Sequence, residues 1–301
     1  MVRTPRLISV LPIVLLGCSS TPPRLDYGKL NSQAMGREMN YAIYEPSQRT
    51  AGDELPLIIF LHGGGDDVKS FDKAHVGQHL DQAIEDGRIP PVVVAVPEGN
   101  WGFWENWADG SRLYRDWVIQ EMMPEVRTRY RTAACPEGCH VMGISMGGHG
   151  ALRFAFKQPS HFSSVTAISA PIFNTQQMLD FRASFWWGLF IPTGRIWDQV
   201  KDRSFVEKDD LFIQWNEQAD LHGIALHLAW GENDHKRVIH TSQHFERHLN
   251  QHQIAHTHQI FVGGHEWDAW VPVIERAIAV QLKNVKHPRS SADLRALKHA
   301  P

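Results

Sequence analysis

The sequence predicts an α/β fold, in which a mostly parallel central sheet carries helices on both faces. Short apolar runs rich in β-branched residues recur along the chain, and such runs are typical of strands buried on both faces. Segments with the spacing of amphipathic helices lie between these runs. Because strands alternate with helices, and neither a repeat nor an internal boundary is visible, we expect one domain with crossover helices.

The same patterns place the individual elements. The predicted strands cover about 38–44, 55–61, 92–96, 140–144, 165–169, 225–230 and 258–262. The predicted helices cover about 113–130, with a bend at Pro124, and then 146–156, 238–249 and 270–282. The alternation is interrupted at about 172–222, which we expect to form a cap over the site. This stretch carries Phe185, Trp186, Trp187, Phe190 and Trp197, and we expect the part from Phe185 to Phe190 to border the pocket.

The composition is that of an ordinary globular protein. Of the 301 residues, 43% are hydrophobic and 21% are charged, so a large core can form. The formal net charge of -3 gives no support for a nucleic-acid partner. The 11 tryptophans are many, and several fall in predicted loops (Trp101, Trp104, Trp107). Such aromatic loops either line a binding cleft or pack onto the core.

The N-terminus has the pattern of a targeting segment. Arg3 and Arg6 precede an apolar run from Leu7 to Leu16, which is too short to span a membrane. The run ends in Leu15-Leu16-Gly17-Cys18, which resembles the lipobox of bacterial lipoproteins. This resemblance implies a signal peptide over 1–18, a lipid on Cys18 that anchors an exported protein to the cell envelope, and sorting to the outer membrane because Ser19 follows. The alternative is an ordinary signal peptide with an incidental cysteine.

These assignments divide the chain into four parts. We expect residues 19–36 to be a polar tether, 37–283 the folded domain and 284–301 a disordered tail. Cys135 and Cys139 are the other cysteines of the chain, and an oxidising compartment favours a small disulfide loop between them. A redox or metal-binding pair is the alternative, although a second pair that would complete a zinc site is missing.

The sharpest motif is Gly143-Ile144-Ser145-Met146-Gly147, between a predicted strand and a predicted helix. A Gly-x-Ser-x-Gly turn in this setting is a nucleophile elbow, which exposes the serine hydroxyl group in a strained turn. The glycines are needed because side chains there would collide with the neighbouring strand or helix. We therefore expect Ser145 to be a nucleophile.

A serine nucleophile needs a base and a carboxylate that orients the base. Asp234 follows the predicted strand that ends at Trp230, and His265 follows the next strand after two glycines. Catalytic groups gather at the carboxyl ends of parallel strands, so Ser145, Asp234 and His265 are the predicted triad. Glu232 is the competing acid.

The chemistry also requires donors for an oxyanion. One predicted donor is the backbone N–H of Met146, directly after the nucleophile. The other is expected in His62-Gly63-Gly64-Gly65 after the first buried strand, and Gly64 is the preferred residue. A plain glycine turn is the alternative interpretation of this loop.

A family resemblance rests on Ser145-Met146-Gly147-Gly148-His149-Gly150-Ala151-Leu152 and on Ser169-Ala170-Pro171-Ile172. These motifs resemble the esterase D / S-formylglutathione hydrolase branch of the α/β-hydrolases, which includes feruloyl esterases and antigen 85 mycolyltransferases. The resemblance covers about 37–283. It implies an α/β-hydrolase fold, a serine esterase that uses this triad and this oxyanion hole, no cofactor, and a small-molecule or carbohydrate-linked ester as substrate. The alternatives are an acyltransferase and a non-catalytic lipoprotein that binds a ligand.

Histidines recur every four residues at His240, His244, His248, His252 and His256. Histidines at this spacing can chelate a metal ion, but no histidine of the repeat has an adjacent carboxylate or cysteine partner. We therefore expect a solvated helix face and no metal. His149 is expected to be a structural residue behind the elbow.

Overall fold

The computed structural model describes residues 24–50, 52–184, 188–189, 191–197, 203–207, 210–217 and 223–283. The described residues form an eight-stranded sheet. Its strands are β1 (Arg24–Ser32), β2 (Arg37–Glu45), β3 (Leu57–Leu61), β4 (Val93–Pro97), β5 (Cys139–Ile144), β6 (Ser164–Ile168), β7 (Ala225–Gly231) and β8 (Thr257–Phe261).

The sheet has the order β1-β2-β4-β3-β5-β6-β7-β8. The strands from β4 to β8 in this order are parallel, whereas β2 is antiparallel to both β1 and β4. The carboxyl ends of the parallel strands therefore meet at one edge, which we call the carboxyl edge, and β1 runs in the same direction as these strands. The predicted fold class is confirmed.

Residues 24–32, which were expected to belong to a polar tether at 19–36, instead form the first strand of the sheet. Residues 24–32 pair with β2 along their whole length, from Arg24 opposite Glu45 to Ser32 opposite Arg37. The segment is polar because β1 is an edge strand with one neighbour, so half of its side chains face solvent. The folded domain therefore begins before residue 37.

Helices cover both faces of the sheet. They are α1 (Ser70–Lys73), α2 (Val76–Glu85), α3 (Tyr114–Asp116), α4 (Met123–Arg129), α5 (Met146–Lys157), α6 (Thr175–Ala183), α7 (Thr193–Trp197), α8 (Arg203–Glu207), α9 (Leu211–Glu217), α10 (Lys236–Gln251) and α11 (Trp267–Leu282). Along β3, Leu57, Ile59 and Leu61 join the core beneath α5 and α10. Ile58 and Phe60 point to the opposite core, which contains α2 and α11. This two-sided burial explains why the strand is apolar throughout.

The predicted bend at Pro124 is a change of helix type. A π-helical segment, Trp117–Met122, joins α3 to α4, and Pro124 lies in the first turn of α4. Proline has no N–H with which to continue the α-helical ladder, so the preceding turn widens instead.

The stretch 172–222 contributes α6 to α9 between β6 and β7. Trp197 is buried there, with its ring centroid 4.9 Å from that of Phe103 and 6.1 Å from that of Phe181. Four residues expected in this cap lie outside the described residues, namely Phe185, Trp186, Trp187 and Phe190. The leader with Cys18, positions 19–23 of the expected tether and the expected tail at 284–301 also lie outside them. Among the described helices, none is both long and apolar enough to cross a membrane.

Candidate active site

Ser145 occupies a sharp turn between β5 and α5. Its backbone has φ 52° and ψ -119°, a conformation that side chains rarely adopt. The turn is held by the Ser145 N–H, which donates to the Ile168 carbonyl oxygen of β6 at 2.8 Å. The serine is therefore presented at the carboxyl edge of the sheet by a backbone that the neighbouring strand fixes.

The glycines of the motif are required by close backbone packing. A Cβ atom on Gly147 would overlap the Leu61 carbonyl group at the end of β3, and one on Gly143 would overlap the backbone of Gly147. His149 is buried behind the turn, with its ring centroid 6.4 Å from that of Phe173. The elbow thus packs directly against the central strands.

Ser145, His265 and Asp234 form one hydrogen-bonded chain. The Nε2 atom of His265 lies 2.9 Å from the Ser145 Oγ, and its Nδ1 lies 2.7 Å from the Asp234 Oδ1. An ionised carboxylate only accepts, so Nδ1 carries a proton and Nε2 is free to take one from the serine. The competing acid, Glu232, is exposed.

The environment of Asp234 favours its ionised form. Burial of Asp234 raises its pKa, but hydrogen bonds from His265, from Ser169 and from the backbone N–H of His235 lower the pKa below its ordinary value. The His235 N–H lies 2.7 Å from the Asp234 Oδ1. The carboxylate therefore remains charged beside the imidazole.

Sequence reasoning assigned no chemical role to Ser169. This buried serine follows β6 and has φ 51°, and its N–H donates to the Ala229 carbonyl oxygen at 2.7 Å. Its hydroxyl oxygen accepts from the indole N–H of Trp270 at 2.9 Å, and the Ser169 side chain is among the groups that lower the pKa of Asp234. The available signal was a polar residue at the carboxyl end of a buried strand, next to the strand that precedes Asp234.

The glycine loop after β3 is fixed by His62. The buried imidazole donates from Nδ1 to the Gly63 carbonyl oxygen at 2.8 Å and accepts the Gly99 N–H on Nε2 at 3.1 Å. Burial lowers the pKa of His62, in agreement with a neutral ring that both donates and accepts. The side chain thus ties this loop to the loop after β4.

The two residues predicted to form an oxyanion hole lie beside Ser145. Met146 is the first residue of α5, so its N–H has no acceptor within the helix. Gly64 lines the same cavity as Met146 and Ser145. A Cβ atom on Gly64 would overlap the ring of Trp101, which explains a glycine at this position.

A cavity of about 510 Å³ opens at Ser145. Most of its wall is apolar, and its polar lining includes Ser145, His265, His235 and Arg237. The apolar lining comprises Trp101, Phe103, Met146, Pro171, Phe173, Phe181, Ile191 and Val238. The aromatic loops of the sequence therefore divide between the two expected roles, since Trp101 lines the cavity and Trp104 is buried in the core.

Cys135 and Cys139 are joined by a disulfide bond. Cys139 begins β5, whereas Ser145 follows the end of that strand. The disulfide therefore lies at the opposite end of β5 from the serine and contributes no group to the cavity.

The sequence profile of a family described as "Putative esterase" matches residues 32–279. The chain belongs to this esterase family. The membership confirms the family resemblance that rested on the motifs around Ser145 and Ser169. The matched range begins at the last residue of β1, so the esterase profile includes most of the described sheet.

Among curated proteins, this esterase-family chain is similar to esterase MT1326 of Mycobacterium tuberculosis (strain CDC 1551 / Oshkosh). The two are 31% identical over 156 residues, which cover 50% of this chain. The match covers 33% of the relative, so the chain spans about a third of the length of that protein.

Solved structures with the same fold are more distant in sequence. A ferulic acid esterase is 16% identical with a TM-score of 0.72, covering 88% of this chain and 99% of its own. An S-formylglutathione hydrolase of Staphylococcus aureus is 18% identical with a TM-score of 0.69, covering 87% and 100%. MPT51 of Mycobacterium tuberculosis is 16% identical with a TM-score of 0.67, covering 87% and 99%. These likenesses confirm the α/β-hydrolase fold of this esterase-family chain.

Proposed function

We propose that this protein hydrolyses small carboxylic esters through an acyl-enzyme on Ser145. The observation that carries the proposal is the hydrogen-bonded chain from the Ser145 hydroxyl group through His265 to Asp234. A chain of this geometry has the parts that acyl transfer requires, namely a nucleophile, a base and a group that orients the base.

In the first half-reaction, the Ser145 Oγ attacks the ester carbonyl carbon while the His265 Nε2 takes its proton. The carbonyl oxygen becomes an oxyanion, which the N–H groups of Gly64 and Met146 stabilise. His265 then gives the proton to the leaving alkoxide, and the C–O bond of the ester breaks. Asp234 keeps the imidazole in the required tautomer and stabilises its charged form.

In the second half-reaction, water replaces the alcohol. His265 takes a proton from the water as its oxygen attacks the acyl carbon, and the proton then passes to the Ser145 Oγ as the acyl bond breaks. The products are a carboxylic acid and the free serine, so no cofactor is consumed.

The cavity supports esters with an apolar or aromatic acyl group. Trp101, Phe103, Phe173 and Phe181 provide flat apolar surfaces around the serine. A ferulic acid esterase with the same fold supports including aromatic acids among the substrates to be tested. In a series of aryl and alkyl esters of graded size, kcat/KM should therefore be highest for an acyl group that fits within the cavity of about 510 Å³.

The test of the mechanism is Ser145→Ala beside Ser160→Ala, a matched change at an exposed serine. Ser145→Ala should lower kcat by about 10⁴-fold to 10⁶-fold and abolish labelling by a fluorophosphonate probe. Ser160→Ala should leave both unchanged. A folded Ser145→Ala protein that keeps more than about a tenth of the parental turnover would contradict the mechanism.

Product analysis of the parent protein in the presence of an alcohol separates ester hydrolysis from acyl transfer and from simple ligand binding. With an added alcohol acceptor, a hydrolase should still release mainly the free acid, whereas an acyltransferase should release mainly the new ester. A purely ligand-binding protein should show neither turnover nor fluorophosphonate labelling.

A further inference from the structure

A second group of chemically active side chains lies outside the cavity, between α10 and β8. Glu246 is on α10, His256 directly precedes β8 and His258 is within it. One ligand atom from each of the three lies within 4.8 Å of the others. We propose that these residues bind a divalent transition-metal ion, of which zinc is the best match.

The fold brings together residues that sequence spacing did not connect. The chain leaves α10 at Gln251, turns, and returns as β8. Consequently the Nε2 atom of His256 lies 3.9 Å from the Glu246 Oε1, and the Nδ1 of His258 lies 3.7 Å from the same oxygen. The carboxylate partner that the histidine repeat lacked is therefore supplied by Glu246, on the same helix as most of the repeat.

The imidazole of His256 is oriented as in a metal ligand. Its Nδ1 lies 2.8 Å from the carbonyl oxygen of Ile254. A carbonyl oxygen only accepts, so Nδ1 carries the proton and the lone pair of Nε2 points towards Glu246. A backbone carbonyl on the second ring nitrogen is the usual means by which proteins fix a ligating histidine.

The other two ligands are also held in place. The ring of His258 stacks on Trp230, with centroids 5.6 Å apart and planes 13° apart. The Asn250 side-chain amide donates to the Glu246 Oε1 at 2.5 Å, which anchors the carboxylate from the same helix. His258 is exposed, so its ring has room to move towards an ion.

The ligand set and its spacing favour zinc. Two imidazole nitrogens with one carboxylate oxygen suit zinc and similar transition metals, whereas magnesium and calcium prefer oxygen ligands. Zinc bonds of about 2.0–2.1 Å in a tetrahedron place ligand atoms about 3.4 Å apart. The 3.7 Å and 3.9 Å from the histidine nitrogens to the Glu246 Oε1 therefore need to shorten by a few tenths of an ångström, and the two histidine nitrogens, which lie within 4.8 Å of each other, need to approach by no more than about 1.4 Å.

Other histidines of the repeat are engaged differently. The rings of His244 and His248 pack against Phe212 of α9, at centroid distances of 4.7 Å and 5.1 Å. His240 is exposed on the same helix. These residues provide controls that change a histidine of α10 without changing the proposed site.

The position of the site indicates a structural role. His258 lies near the start of β8, whereas His265 follows the end of that strand. An ion bound there would join α10 to a strand at the edge of the sheet and would not reach the reacting ester. Because a metal that binds only the folded state stabilises it, bound zinc should raise the melting temperature and leave kcat unchanged.

The experiment uses the full-length chain after treatment with a chelator and dialysis. Calorimetric titration with Zn²⁺ should show a saturable site, and Co²⁺ should give the visible absorption of a tetrahedral complex. Glu246→Gln and His258→Ala should each weaken zinc binding at least 10-fold and remove the gain in melting temperature. His240→Ala should retain both.

The outcomes distinguish the proposed site from the alternatives. Absence of saturable Zn²⁺ binding to the folded parent would overturn the proposal. So would equal affinity in His258→Ala and His240→Ala, or a loss of binding in His248→Ala that His258→Ala does not share. His258 is exposed, so its replacement keeps the test valid if Glu246→Gln fails to fold.

Discussion

Two serines that follow neighbouring strands have nearly the same positive φ angle. Ser145 after β5 has φ 52°, and Ser169 after β6 has φ 51°. Ser145 lies within hydrogen-bond distance of His265, and Ser169 is among the groups that lower the pKa of Asp234, so the two serines act on opposite ends of the same hydrogen-bonded chain. Strained backbone of this kind persists only where the surroundings hold it, and here two central strands do so.

Ser169→Ala should lower kcat without changing KM. The substitution removes a hydrogen bond to an ionised carboxylate, which contributes about 1.5–3 kcal/mol, so a fall of about 10-fold to 100-fold is expected. Trp270→Phe should also lower kcat, because it removes the indole N–H that donates to the Ser169 hydroxyl group and part of the ring that packs against His265. Steady-state kinetics on a good ester checks this, with Ser160→Ala as control. A raised KM with unchanged kcat would show that Ser169 does not act through Asp234.

Candidate site residues that directly follow a recognisable strand could be predicted from the sequence. Ser145, Asp234 and His265 could be identified because each follows a recognisable strand, and the parallel sheet brings such positions together. Ser169 has the same placement, but a serine there has many structural uses, so only its effect on the pKa of Asp234 indicated a role. The contact between Gly64 and Trp101 joins separate loops and left no pattern in the sequence.

At the scale of elements, a buried ion pair joins the helix behind Ser145 to a neighbouring loop. Arg153 of α5 pairs with Glu105, and both side chains are less than a tenth exposed. Glu105 also lies 3.9 Å from Arg115. The loop that carries Trp101 and Phe103 into the cavity is thus tied to α5, the helix that follows Ser145.

Glu105→Ala should destabilise the fold by about 3–5 kcal/mol, because it leaves a buried charge on Arg153 without this carboxylate. Glu38→Ala is the matched control, since it breaks the exposed pair with Lys29 and should cause no measurable change. Urea unfolding followed by circular dichroism measures both. Equal midpoints for the two variants would contradict a structural role for the buried pair.

The central strands were predictable and the first strand was not. Strands β3 to β7 are buried on both faces, so their sequences are mostly apolar and have clear ends. In β1, polar residues outnumber the apolar Leu25, Tyr27 and Leu30, and this composition suggested a tether. An edge strand with one neighbour carries less of the hydrophobic signal on which such predictions depend.

At the scale of the molecule, two buried histidines make stability sensitive to acid. Burial lowers the pKa of His140 and that of His227 to about 4, from an ordinary value of 6.5. The unfolded chain therefore binds protons at a higher pH than the folded chain. Their contribution to stability is complete above pH 6.5 and is lost as the pH falls from there towards 4.

The free energy of unfolding should fall by about 2 kcal/mol per histidine between pH 7.5 and pH 5. The double variant His140→Gln, His227→Gln should lose correspondingly less over the same interval, whatever its stability at pH 7.5. Urea unfolding at the two pH values checks this. An identical fall in parent and variant would assign the acid sensitivity to other groups.

We propose, from the leader sequence, that Cys18 carries lipid and anchors the protein to the bacterial cell envelope. Cys18→Ala should move the protein from the membrane fraction to the soluble fraction and abolish incorporation of labelled palmitate. Ser20→Ala is the matched control and should leave both unchanged. Unaltered membrane fractionation and labelling in Cys18→Ala would contradict the anchor.

The direction of β1 determines what such an anchor would do. Arg24 begins β1 at the edge of the sheet opposite the carboxyl edge, where Ser145 and His265 lie. Six residues from Cys18 to Arg24 reach at most about 20 Å, so the anchored edge would stay near the bilayer. The mouth of the cavity lies towards the other edge, open to esters that diffuse through the surrounding fluid. The anchor would therefore concentrate the protein at the surface through the side of the sheet that lies away from Ser145.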